Sequence, residues 1–229
     1  MDFNARNWTP PEMASPDLIK TFPVDAKGAD WRGKNLGNLN LNEANLCRAD
    51  LRGSNLTGCS MENVDMRLAK YDSKTQLPEG FNIRTSGAIG PGAQLNGAFL
   101  NNADLRGIDL RKGSLMGAYL SGADLSGAVL DNISMAGADL RHSILRGAMC
   151  RGTRFGTSEL NMADLRGADL TEANLENIES IQGCDFSMCK GMTSHVERLL
   201  ERSSQELDHW NPLTRSTTRT SLESLRQAN

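Results

Sequence analysis

The sequence predicts an all-β solenoid, and three observations carry that prediction. An apolar residue recurs at every fifth position, a small residue stands two before it, and glycine recurs two after it. Between Ala93 and Leu175, leucine stands at 95, 100, 105, 110, 115, 120, 125, 130, 140, 145, 160, 165, 170 and 175, and the gaps hold Met135, Cys150 and Phe155. Alanine fills most positions two before these centres, as at Ala98, Ala103, Ala118, Ala123, Ala163 and Ala168. A period of five fits neither an amphipathic helix nor a simple alternating strand. The centre and the residue two before it do share one side of an extended segment. The glycines, as at Gly107, Gly127 and Gly147, then mark a bend. A short extended piece followed by a repeated corner must coil around its own leucines.

The unit Ala-Asp/Asn-Leu-x-x, as in Ala49-Asp50-Leu51, Ala123-Asp124-Leu125 and Ala173-Asn174-Leu175, resembles the pentapeptide repeat over roughly residues 34–190. That resemblance implies a right-handed quadrilateral β-helix with four repeats per coil. It also implies that the centre and the residue two before it point inward, in agreement with the spacing.

In chain order, residues 1–33 lie before the expected register and carry Trp8, Pro10, Pro11, Pro16, Phe22, Pro23 and Trp31. They read as an N-terminal cap or arm, since a first coil presents unpaired strand edges that need cover. Residues 34–190 form the β-helix. Its first block has centres Leu36, Leu41, Leu46, Leu51, Leu56, Met61, Met66 and Tyr71. Residues 72–87 break the register as an inserted loop. Leu77, Pro78 and Phe81 there either anchor the loop on the coil wall or contact a partner. A Pro-Glu-Gly-Phe insertion of this kind resembles cyanobacterial and chloroplast members of the family. Residues 88–175 are the regular block, and the register slips by one around Ile178 to Ile181.

Residues 191–229 change character. Ser194 with Glu197 resembles a capping box, and Val196, Leu199, Leu200, Ser203 and Leu207 share one helical face across 193–208. A C-terminal capping helix is expected there, ending at Asn211-Pro212. A Ser/Thr-rich tail with a short second helix through Leu222 and Leu225 follows. It either docks a partner or lies along the coil.

Composition narrows the role. The net charge is −3 in 229 residues, which gives no global basic footprint for nucleic acid. No apolar run is long enough for a membrane span, and Met1–Arg6 lacks a secretory pattern. The expected location is therefore the cytoplasm, with peripheral membrane association left open. Of the five cysteines, Cys59 and Cys150 fall on inward positions as small hydrophobes, and Cys184 and Cys189 are expected inward at the end of the coil.

No phosphate loop, metal-ligand spacing or nucleophile elbow is present. The expectation is no enzyme, no cofactor and no metal. Asp104, Asp124 and Asp164 read first as turn supports, and Arg106, Arg146 and Arg166 as a solvated face. The functional clue is the set of outward apolar residues. Four repeats per coil make Phe99 and Tyr119 vertical neighbours, and likewise Val129 and Met149. Ile144 and Met116 are further outward apolar residues. With Leu77 and Phe81, the four are the candidate partner contacts. The leading reading is a non-enzymatic interaction or scaffold protein that binds one or more proteins, with a homodimer among the assemblies it allows. The first alternative, implied by the resemblance, is a DNA-mimicking inhibitor of a DNA-binding enzyme such as gyrase, since some members of the family resemble duplex DNA in width and charge. It needs a sustained negative face, whereas residues 33–190 carry 16 basic against 18 acidic residues. The second alternative is an accessory factor of photosynthetic membranes, on the character of the insertion alone.

Overall fold

The structure is a computed structural model that describes residues 22–227. The chain divides into two compact units, Met1–Ala93 and Gln94–Asn229. In each, residue n pairs in parallel with residue n+20, as Asp25 with Asn45 in the first and Phe99 with Tyr119 in the second. Four such pairings per turn of chain make a four-sided coil.

The local reason for this coil is visible at Leu105. Its N–H donates to Asp124 O in the next turn (2.8 Å), and Asp124 N returns a bond to Ala103 O (3.0 Å). Each side has room for only one such bridge residue before the next corner. The corner is a β-turn closed from centre to centre plus three, as Ala103 N to Leu100 O (3.1 Å). The second corner residue is left-handed. Gly107 (φ 61) adopts this freely, and Asn102 (φ 55) is among the non-glycine residues that tolerate it. Leu105, Leu110, Leu125 and Leu130 are almost fully buried, with Ala103, Ala123 and Ala128 beside them on the same side of the chain. Each buried leucine contributes roughly 1.5–3 kcal/mol of transfer free energy.

In the first unit the register starts earlier than expected. Val24, Ala26, Ala29 and Trp31 are buried, and Asp25 and Asp30 bridge to Asn45 and Asp50. The expected cap of 1–33 therefore gives way to coil from Val24 onward. The misreading has a physical cause, since Ala26 and Trp31 stand at centres where leucine was sought. Trp8 and the Pro10–Pro11 pair lie outside the described residues. Around the insertion the bridges leave the n+20 step. Gln76 still bridges to Asn55 at n+21, a single 3₁₀ turn covers Ile83–Thr85, and Ile89 re-enters against Lys70 at n+19. Tyr71 lies across the re-entry, where a Cβ on Gly90 would meet its ring at 2.7 Å. The bulky centre of one turn thus requires the missing side chain of the next.

In the second unit the n+20 register holds to Arg154–Asn174 and becomes n+21 at Glu159–Ser180. Thr157 N already bonds Asn177 O (2.8 Å), so the extra residue enters between Asn174 and Asn177, slightly before the expected slip. Two short helices follow, α1 (Val196–Leu200) and α2 (Ser204–Leu207), where one continuous helix was expected. The capping box also moves. His195 occupies the N-cap of α1 with no side-chain capping bond, whereas Ser203 accepts from Glu206 N and restarts the helix as α2. A two-residue hairpin, β1 (Trp210–Asn211) and β2 (Ser216–Thr217), then leads into α3 (Thr218–Gln227). Leu222 and Leu225 of α3 are buried.

These elements close the last turn of coil with side chains in place of another turn's backbone. Ile181 N donates to Glu206 Oε1 (2.5 Å), and Phe186 N to Ser221 Oγ (3.2 Å). Arg202 donates to Ile178 O (3.0 Å) and Glu179 O (2.9 Å), and Thr218 Oγ1 to Ile181 O (2.9 Å). Buried backbone groups need partners, and the tail supplies them. Of the two readings of the tail, the structure shows packing on the coil.

Candidate protein-binding surface

Two kinds of outward side chain stand out on the coil. The first kind is charged and already paired. The acid before a centre accepts the N–H two residues on, as Asp50 Oδ1 does from Arg52 N (3.3 Å), which is the expected turn support. Where arginine follows the centre, its guanidinium closes on the same carboxylate. This occurs at Asp30–Arg32, Asp50–Arg52, Asp65–Arg67, Asp104–Arg106, Asp109–Arg111, Asp139–Arg141 and Asp164–Arg166. The arginines were expected as a merely solvated face, but a five-residue register places residue n+2 back over residue n around the corner.

Asp164 is the most enclosed of these acids, with its side chain fully buried between Arg166 (2.9 Å) and Arg146. Burial pushes its carboxyl up, yet the hydrogen bonds from Arg166 and Arg146 outweigh that and hold it below the usual carboxylate range. Asp169 is held down to about 2 by the Thr171 hydroxyl, with Arg151 adding to it. Burial raises the thiols of Cys59, Cys150, Cys184 and Cys189, away from reactive thiolates.

The second kind is apolar and exposed. Phe99 is 77% exposed and Tyr119 45%, and their rings stack with centroids 4.9 Å apart and planes 4° from parallel. The stack follows from the bridge Phe99–Tyr119, which sets the two side chains one coil step apart. Met116 stands exposed on the preceding corner. The half-turns that hold this pair, Gln94–Ala103 and Ser114–Ala123, contain no charged residue. That run of uncharged positions was legible in the sequence and was missed, because charge was counted over the whole coil.

The other candidates are placed differently. Val129 and Met149 also bridge, but Val129 is half-buried and Met149 37% exposed. Asp109 and Asp169, paired with Arg111 and Arg151, continue that ladder on either side. Ile144 is half-buried. Leu77 and Phe81 are half-buried against the core of the first unit, with Ile83 fully buried beside them in sequence. A recess in the second unit is lined by Leu175, Glu176, Asn177, Arg198, Leu199 and Arg202, and the Arg198–Glu176 pair (3.4 Å) lies in its wall. Among the described residues, no group of three or more His, Cys, Asp or Glu is placed to hold a metal, and no helix is long and apolar enough to cross a membrane.

Comparison with solved structures returns two proteins described as pentapeptide repeat proteins and a resistance protein, among others. A pentapeptide repeat protein from the Arabidopsis thaliana thylakoid lumen is 26% identical, with 58% of this chain and 89% of that chain covered and a TM-score of 0.40. HetL, a pentapeptide repeat protein involved in heterocyst differentiation regulation from the cyanobacterium Nostoc, is 21% identical over 75% of this chain and 89% of its own, with a TM-score of 0.30. QnrB1, a plasmid-mediated fluoroquinolone resistance protein, is 19% identical over 77% and 90%, with a TM-score of 0.33. At these TM-scores none of the three bears on what this chain binds. A search of curated proteins returned no match. The family profile for pentapeptide repeats matches in 8 copies, over residues 24–58, 33–67, 92–127, 114–149, 123–161 and 150–179. Those segments cover more than half of the chain, from the first buried centres to the last regular turn, and this protein belongs to the pentapeptide repeat family.

Proposed function

We propose that this protein is a non-enzymatic interaction protein that presents fixed outward side chains to a protein partner. The observation that carries the reading is the exposed Phe99–Tyr119 stack on two uncharged half-turns. Exposed apolar groups that cluster mark interfaces more than scattered ones do. Coil backbone holds these two rings in place, so little ordering entropy remains to be lost on binding. Val129 and Met149 form a second, less exposed contact area, and Leu77 and Phe81 serve mainly to anchor the inserted loop. In this reading the coil is right-handed, as the family resemblance implies, and the chain works in the cytoplasm. Five free cysteines fit a reducing compartment.

The DNA-mimic reading is disfavoured by the Asp–Arg pairs. Each places a guanidinium on the carboxylate that a mimic would leave bare, as Arg106 on Asp104 and Arg141 on Asp139.

Crosslinking in the native host tests the proposal. The expected outcome is a defined protein partner captured by the native chain and by Arg111→Ala, and lost on Phe99→Ser/Tyr119→Ser. Survival of every partner on that double variant would sink the assignment. Inhibition of gyrase supercoiling at modest concentration would reverse the ranking of the two readings.

A further inference from the structure

Resting on the interaction reading above, we infer that the Phe99–Tyr119 surface takes a short, uncharged, extended peptide segment with a proline or aromatic ring, not a charged segment or a second copy of this chain. Three features of the surface lead there.

The first is charge. Gln94–Ala103 and Ser114–Ala123 stack on one another and hold no Asp, Glu, Lys, Arg or His. A charged group brought against them would lose water and gain no counter-charge. The next step of the same ladder is Asp139, already occupied by Arg141 (2.8 Å), and the step after is Glu159, which the same guanidinium reaches (3.5 Å). The acids bordering the surface therefore already have a cation.

The second is size. Two coil steps span ~10 Å along the axis and ten extended residues at most ~33 Å around it. The surface thus stays under roughly 350 Å², well short of the ~800 Å² per partner of a stable protein–protein interface. A second copy docked here alone would not hold together, whereas a peptide of a few residues matches the area.

The third is shape and polarity. The two rings lie within 4° of parallel, and Phe99 is 77% exposed, so a flat apolar ring can pack beside them. Asn101 and Ser121, polar but uncharged, stand two residues after Phe99 and Tyr119, on the next corner. They offer hydrogen-bond donors and acceptors to a peptide backbone, the combination that extended proline-rich segments use on aromatic surfaces.

The experiment is selection of a displayed random 12-residue peptide library on the full chain, with affinities of the selected peptides read by calorimetry. The expected peptides lack charge and carry proline or an aromatic residue. Their affinity should change less than 2-fold between low and high salt. It should fall at least 10-fold on Phe99→Ser, a substitution of an exposed side chain, and stay within 2-fold on Arg111→Ala, in the charged half of the coil. Selected peptides that are charged, with affinity moving 10-fold or more with salt yet still lost on Phe99→Ser, would overturn the inferred chemistry and leave the surface in place. Peptides insensitive to Phe99→Ser, or no selected peptide at all, would overturn the inference together with the surface. A dimer in sedimentation that Phe99→Ser dissolves would overturn the exclusion of a second copy.

Discussion

The coil turns from Gln94 to Ile133 have two unlike halves around one core. Gln94–Ala103 and Ser114–Ala123 carry no charge and expose Phe99 and Tyr119, while Asp104–Gly113 and Asp124–Ile133 carry Asp104, Arg106, Asp109, Arg111, Lys112, Asp124 and Asp131. Inward, the halves match: Leu95, Leu100, Leu115 and Leu120 in one, Leu105, Leu110, Leu125 and Leu130 in the other, all buried. The repeat therefore dictates the inside and leaves the outside free. On the outside, a charge that meets its partner within the same corner is consumed by the fold. An exposed aromatic pair is left for something else.

The sharpest way to break this comparison is to exchange inside for outside. Leu110→Lys should abolish cooperative folding, because an unpaired ammonium would enter a core position of 0% exposure. Phe99→Lys, in the other half and facing out, should leave the far-UV circular dichroism and the melting temperature nearly unchanged. Equal losses from both would contradict the register. Next in size is Asp164→Ala, which strips Arg146 and Arg166 of their shared carboxylate. Urea unfolding should show a loss of about 2–3 kcal/mol, less than the ~3–5 kcal/mol of a fully buried pair, because both arginines keep access to water. Ser221→Ala should cost about 1–2 kcal/mol by leaving the buried Phe186 N–H unmatched. A silent Ser221→Ala would mean the tail does not seal the coil.

A smaller effect appears in acid. Asp169 lies below its ordinary 3.8, at about 2, so its contribution to stability is complete above about pH 4 and is lost as pH falls through about 2. The gap in melting temperature between the native chain and Asp169→Asn should therefore close between pH 4 and pH 2. Arg111→Ala should be the mildest change, within about 0.5 kcal/mol, since its pair with Asp109 is half-exposed.

Much of the fold was legible because the core has a strict period. Leu36 to Tyr71 and Leu95 to Leu175 fell on inward positions by counting alone, and the insertion announced itself by shifting the count. Legibility failed where size replaced pattern. Ala26 and Trp31 are centres with unusual volumes, and Gly90 is a centre emptied to admit Tyr71. It failed again where partners are remote. Nothing near Glu206 or Ser221 in sequence says that they cap Ile181 and Phe186. Of the surface, the alignment of Phe99 with Tyr119 follows from 20-residue turns and the structure adds the stacking. The Asp–Arg closure was missed because it depends on corner geometry that the period does not encode.

The Phe99–Tyr119 stack also makes the surface observable through one of its own rings. The chain has 2 tyrosines. Tyr71 is buried, with its hydroxyl bonded to Pro91 O (2.8 Å), whereas Tyr119 stands 45% exposed. Mild nitration of the folded protein should therefore mark Tyr119 ahead of Tyr71. The nitrophenol would absorb visible light at the place where a ligand arrives, so occupancy of the site becomes a colour change.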